Sequence, residues 1–168
     1  MTDINLEVVK KLRTHGILTN VGAALLPRNT SDIIIAACSD NTQHEEKRLH
    51  LSKFVRSQKP FLYAGGGCLP GTPRRVVGQQ GVQMLEALLK AAKQHQPSAV
   101  VLSGHYPCRW ATARGLGLQE QIFFLIQAYY RMRDLLRVHP HNLTKVDVYI
   151  FLHIWDGQKN RTYKVSLF

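Results

Sequence analysis

Two short apolar runs constrain this chain more than any other feature. Ile33-Ile34-Ile35-Ala36-Ala37 and Ala99-Val100-Val101-Leu102-Ser103 are nearly unbroken stretches rich in β-branched residues. A strand with one wet face alternates apolar and polar residues. A continuous run has to be covered on both faces, which is the habit of strands inside a parallel sheet. Parallel neighbours need crossovers, usually helical, and the chain supplies them. Residues 76–95 carry Val77, Val82, Leu85, Leu88, Leu89 and Ala92 at helical spacing, with Pro97 beyond the end. Residues 118–138 hold the longest helical pattern, from Ile122 and Leu125 through Tyr129 and Met132 to Leu136, and His139-Pro140 stops it. Residues 4–14 repeat Ile4, Val8, Val9 and Leu12 in the same way. Pro60 to Ala64 reads as a further strand, cut off by Gly65-Gly66-Gly67. Val146 to Trp155 alternates with period two, Asp156-Gly157 opens a turn, and Thr162 to Phe168 returns as a hairpin partner. These elements predict an α/β fold: a mostly parallel central sheet flanked by helices, with a C-terminal hairpin. A chain of 168 residues suits one domain over 1–168.

Three cysteines, Cys38, Cys68 and Cys108, make an odd and widely spaced set, unlike a secreted disulfide framework. The N-terminal stretch mixes Asp3, Glu7 and Lys10 with its apolar residues, so it does not read as a signal peptide. No apolar run approaches the roughly 18 residues of a membrane span. The expectation is a reduced, cytoplasmic protein with no membrane partner. The charge is unusual: 22 Lys and Arg against 11 Asp and Glu, a formal +11. Such an excess attracts anions. Its residues are dispersed, however, as in Lys10-Lys11, Arg74-Arg75, Arg109 and Arg131. No nucleic-acid motif accompanies them, so no nucleic-acid-binding residue is assigned.

In open α/β sheets, reactive groups collect past the carboxyl ends of the strands. The first buried run ends in Cys38-Ser39-Asp40, and the second in Gly104-His105-Tyr106-Pro107-Cys108. Two neighbouring strand ends thus offer two thiols, an imidazole and a nearby carboxylate. Zinc favours such sulfur and nitrogen donors in tetrahedral geometry. Cys38, His105 and Cys108 are the candidate metal ligands, and they leave a fourth position for water or for Asp40. Singly, each has a plainer reading. A lone Cys usually packs as a small hydrophobe, and Asp40 could cap a helix. Cys68, just past the glycines, keeps the plain reading, with an exposed thiol near the site as its alternative. His153 reads as a solvent-facing strand residue, and His139 and His141 as loop residues. Phe123, Phe124, Tyr129 and Tyr130 read as core or dimer interface.

Taken in order, Cys38-Ser39-Asp40, Ala64-Gly65-Gly66 and Gly104-His105-Tyr106-Pro107-Cys108 resemble the beta-class carbonic anhydrases. The likeness covers residues 30–110 well and Tyr149 to Val165 more loosely. It implies one zinc on Cys38, His105 and Cys108, and reversible hydration of carbon dioxide to bicarbonate. Zinc acidifies water for that purpose, Asp40 orients it, and Gly65 and Gly66 lie near the substrate. The resemblance also implies a homodimer or multiple of dimers, with helix 4–14 packed on the partner. The chain departs from the family at two positions. Thr42 stands where the family has the Arg that pairs with the Asp and keeps it off the metal; Arg48 is a candidate replacement. Arg109 stands where a Gly usually follows the second metal Cys. Two other readings therefore accompany the first. One is a non-catalytic zinc-binding protein, and the other a hydrolase of a carbon dioxide analogue such as carbonyl sulfide or carbon disulfide.

Overall fold

The computed structural model describes residues 3–20, 32–40, 49, 52, 55–139, 143–155, 158 and 160–167. Thr42, Arg48, His141 and the Asp156-Gly157 turn lie outside the described residues. In chain order the elements are helix α1 (Asp3–Thr14), strands β1 (Leu18–Asn20), β2 (Asp32–Cys38) and β3 (Ser57–Tyr63), and a 3-10 helix (Gly66–Gly71). Helices α2 (Arg74–Val77) and α3 (Gln80–His95), strand β4 (Ala99–Tyr106), and helices α4 (Arg109–Thr112) and α5 (Leu118–Val138) follow. A short 3-10 turn (Leu143–Lys145) leads into β5 (Asp147–Trp155) and β6 (Asn160–Val165).

Six strands form one sheet in the order β1-β6-β5-β4-β2-β3. The four strands β3, β2, β4 and β5 run parallel, while β6 is antiparallel to β5 and to β1. The two apolar runs are neighbours at the centre, with Ile33 opposite Ala99 and Ala36 opposite Leu102. Ile34, Ala36, Val100, Leu102, Ile150 and Leu152 point to one face and pack with α3, α5 and Val9 of α1. Ile33, Ile35, Ala37, Ala99, Val101 and Phe151 point to the other, where Val55 packs on them. Burial on both faces explains why these runs do not alternate.

Several boundaries depart from expectation. The helix expected from Val76 is two helices, because Gly78 takes a φ of 59° and ends α2. Gly81 then lies against the Leu69 carbonyl, so a Cβ there would be 2.7 Å from that oxygen. Strand β3 begins at Ser57 and occupies the sheet edge, with Leu62 and Tyr63 exposed. Pro60 is tolerated there because an edge strand leaves one row of N–H groups unpaired. Strand β4 runs on to Tyr106, so His105 belongs to the strand. Strand β5 is buried on both faces from Ile150 to Ile154. His153 is accordingly buried, with its Nδ1 2.9 Å from Thr162 Oγ1, and not solvent-facing. Strand β1 was not anticipated; three residues are too short to show a period.

The 3-10 helix Gly66–Gly71 is buried throughout. It lies between the ends of β2 and β4 and the side of α5. At Gly67 an added Cβ would sit 2.5 Å from the Ser103 amide nitrogen, so backbone rests on backbone. We expect Gly67→Ala to destabilise the protein by about 1–3 kcal/mol through forced displacement of a packed segment. Gly16→Ala, where φ is 71° but nothing lies within 4 Å, should cost only about 1 kcal/mol. Urea unfolding measures both; equal midpoint shifts would contradict the wedge.

Candidate metal centre

From β2 the chain passes outward to β3, then returns to the opposite side of β2 as β4. Connections leaving β2 and β4 therefore diverge, the arrangement that in open α/β sheets sets the ligand crevice past the strands' carboxyl ends. Cys38 is the last residue of β2 and His105 the penultimate residue of β4. Cys108 follows a cis Tyr106–Pro107 peptide and stands immediately before α4. The three candidate ligand atoms lie within 4.8 Å of one another, and all three residues are buried.

This donor set has the chemistry of a metal site. The Cys38 and Cys108 sulfurs are 3.8 Å apart as free thiols. His105 is 1% exposed, and by strict geometry neither ring nitrogen has a hydrogen-bond partner among the described residues. An orphaned buried polar group costs about 1–3 kcal/mol, so an imidazole in this position calls for an electron-pair acceptor. Two sulfurs and one nitrogen suit zinc. Of the two thiols, Cys38 is the one drawn well below the ordinary range. The largest cause is the hydrogen bond from Cys108, opposed by burial and assisted by His105 and by two backbone N–H groups. Those are Asp40 N–H at 3.5 Å and Gly65 N–H at 3.4 Å. Cys108 is pushed up, because it supplies the proton its neighbour's sulfur accepts and is itself buried.

Asp40 stands outside the three-donor cluster. Its Oδ2 accepts the backbone N–H of Arg109 at 3.1 Å. A main-chain amide thus engages this carboxylate, and Arg48, the candidate cation for it, lies outside the described residues. The Gly65 N–H donates to the Cys38 sulfur. A Cβ on Gly65 would meet the Trp110 ring at 2.8 Å, and φ there is 93°. Trp110 is buried beneath Arg114, whose guanidinium lies 4.6 Å from the ring centroid. No motif pointed to Trp110. Gly66 rests on the backbone of Ala37 and Cys38.

Cys68 is not an exposed thiol: it is buried, its S–H directed to the Gln121 carbonyl at 3.6 Å, apart from the cluster. His139 is half-buried at the end of α5 and joins no metal-ligand group among the described residues. Of the aromatic set, Phe124 is buried, whereas Phe123 and Tyr130 are 55% and 40% exposed.

No family model and no curated protein matches the chain. Solved structures do. The beta-carbonic anhydrase CafD of Aspergillus fumigatus aligns in a mutant form at a TM-score of 0.53 and in the wild type at 0.50. Both share 12% identity and cover 89% of this chain and 99% of theirs. A carbonic anhydrase from Streptococcus mutans aligns more loosely, at 0.46 with 15% identity over 99% of both chains. The six-stranded sheet, its flanking helices and the closing hairpin define an α/β protein with a Cys-His-Cys cluster at its switch point. That architecture is the beta-carbonic anhydrase fold.

If Cys38, His105 and Cys108 are the ligands, protein expressed in zinc-replete medium carries one zinc per chain by elemental analysis. Cys108→Ser and His105→Ala should each lower the zinc content at least tenfold, while Cys68→Ser leaves it unchanged. Full zinc content in His105→Ala would exclude the assignment.

Proposed function

We propose that this protein is a zinc-dependent carbonic anhydrase-like enzyme that hydrates carbon dioxide reversibly to bicarbonate. Cys38, His105 and Cys108 would hold the zinc. When bound, the metal acidifies water and supplies a nucleophile near neutral pH. Three protein donors with a fourth position left over are the pattern of catalytic zinc, whereas structural zinc is closed by four.

The observation that carries this reading is the tether on Asp40. Its Oδ2 is engaged by the Arg109 amide, and the carboxylate lies outside the three-donor set. The Arg that the family places two residues on is Thr42 here. A backbone amide on the loop that carries Cys108 does the restraining instead. The role we assign to Asp40 Oδ1 is to accept a hydrogen bond from the reacting water and orient it. The N–H groups of Gly65 and Asp40 favour the Cys38 thiolate, as a metal ligand requires. Arg109, exposed beside this loop, adds positive potential where an anionic product forms.

We further propose that one domain spans the chain and that two copies pair. Helix α1 lays Val9 into the core of its own chain but leaves Leu6 44% exposed, and a partner would cover that residue. The small substrate requires no membrane contact, and no helix among the described residues is long and apolar enough to cross one.

Stopped-flow hydration of carbon dioxide by the zinc-loaded protein should exceed the buffer rate. Asp40→Asn should retain zinc and lose roughly 10²-fold or more in kcat, the scale of a positioned acid–base group. Zinc-loaded protein that leaves the buffer rate unchanged would refute the proposal.

A further inference from the structure

A cavity of about 820 Å³ lies at the end of the sheet opposite the Cys38, His105 and Cys108 cluster. Its walls are the last turns of α5, the turn at Leu143, the beginning of β5 and the end of β6. In the β4–β5 register the cavity begins opposite Ala99, at Asp147, whereas His105 is opposite His153. Six strand residues, roughly 20 Å at the usual rise, separate the two levels. The cavity is not part of the metal crevice.

Its composition is specific. Leu136, Leu143, Ile150 and Val165 form a buried apolar floor. Above it, Arg133 and Arg137 stand one helical turn apart on α5, and both are exposed. Residues four apart on a helix share a face, so the two guanidinium groups rise from one rim. Arg133 is steadied by Tyr129: its Nη1 donates to the phenol oxygen at 3.3 Å, and its carbon lies 5.9 Å from the ring centroid. Neither arginine forms an ion pair with a described residue. The carboxylate of Asp147, also at the cavity wall, accepts the Tyr149 hydroxyl at 3.3 Å. Lys164 adds a third cation, 5.3 Å from the Tyr149 ring centroid. Small-molecule sites commonly occupy about 300–1,000 Å³, with apolar walls and a few convergent polar groups. Guanidinium groups suit phosphate because their planar forks bind its oxygens in pairs.

We propose that this cavity binds a small organic phosphate, its anion held by Arg133 and Arg137 and its apolar body lying on Leu136, Leu143 and Val165. Such a site gives part of the +11 charge a particular task. It stands independently of the zinc chemistry, since none of its residues belongs to the metal crevice.

Isothermal titration at low salt with 1-naphthyl phosphate tests it. The probe should bind saturably, with 1:1 stoichiometry. Inorganic phosphate, which lacks the body, and 1-naphthol, which lacks the charge, should each bind at least tenfold more weakly. Arg133→Gln and Arg137→Gln should each weaken the probe about tenfold, and circular dichroism should show both variants folded. Arg75→Gln, an exposed cation on α2, should leave the affinity unchanged and so controls for general attraction to a basic surface. Cys108→Ser should also leave it unchanged, which separates this site from the metal centre. Absence of saturable binding overturns the proposal. So does equal weakening by Arg75→Gln, or undiminished binding in the Arg133→Gln/Arg137→Gln double variant.

Discussion

Backbone-to-backbone contact between the Gly66–Gly71 helix and the ends of β2 and β4 is the constraint on which the rest depends. Gly67 sits on the Leu102–Ser103 peptide and Gly66 on the Ala37–Cys38 peptide. Side chains at these positions would hold the segment away from the sheet. Without them it seats between the strands and α5, where Gly71 meets the backbone of Phe124 and Ala128. The same seating brings Gly65 N–H to the Cys38 sulfur and lays Gly65 against Trp110. Close approach of the main chain thus couples the central strands, the longest helix and the candidate metal ligand.

The electrostatics of the crevice follow from that geometry. Two thiols and an imidazole are packed within 4.8 Å and are buried. Burial alone would keep both thiols neutral. Two backbone N–H groups and a neighbouring S–H favour the thiolate at Cys38 instead. Asp40 gives its own N–H to the Cys38 sulfur, while its carboxylate turns to the Arg109 amide. A main-chain donor cannot swing away as a long side chain can, so the restraint is built into the loop that carries Cys108. The far end of the sheet has the contrary character, with cations on a rim and no described carboxylate paired to the two arginines.

Much of the architecture was legible because periodicity reports burial. The helix over 118–138 agrees with its pattern at both ends, since Gly117 precedes it, its N–H bonded to Glu120, and His139-Pro140 follows it. The two central strands were legible because their shortness and β-branched content favour a strand covered on both faces over a buried helix. Legibility failed where neighbours in space decide. His153 sits in an alternating segment, yet β5 is covered on both faces there and Thr162 gives the imidazole a polar partner. Gly78 looks like any helix interruption until its positive φ is seen. Cys68 follows the glycines directly in sequence, but the 3-10 helix turns its thiol toward α5.

By itself, the sequence determined the class of fold and the chemical types at the two strand ends. Hydrophobic period and the kinds of donor atom are local properties of the chain. Which donors meet, and what restrains them, was decided by the tertiary structure alone. Placing β2 beside β4 brings Cys38 within reach of residues some seventy positions away, with its sulfur 3.8 Å from that of Cys108. The partner of Asp40 is a backbone amide, a group every residue but proline possesses, and no side-chain pattern can announce it. The apolar floor beneath Arg133 and Arg137 likewise exists only once α5 packs on β5.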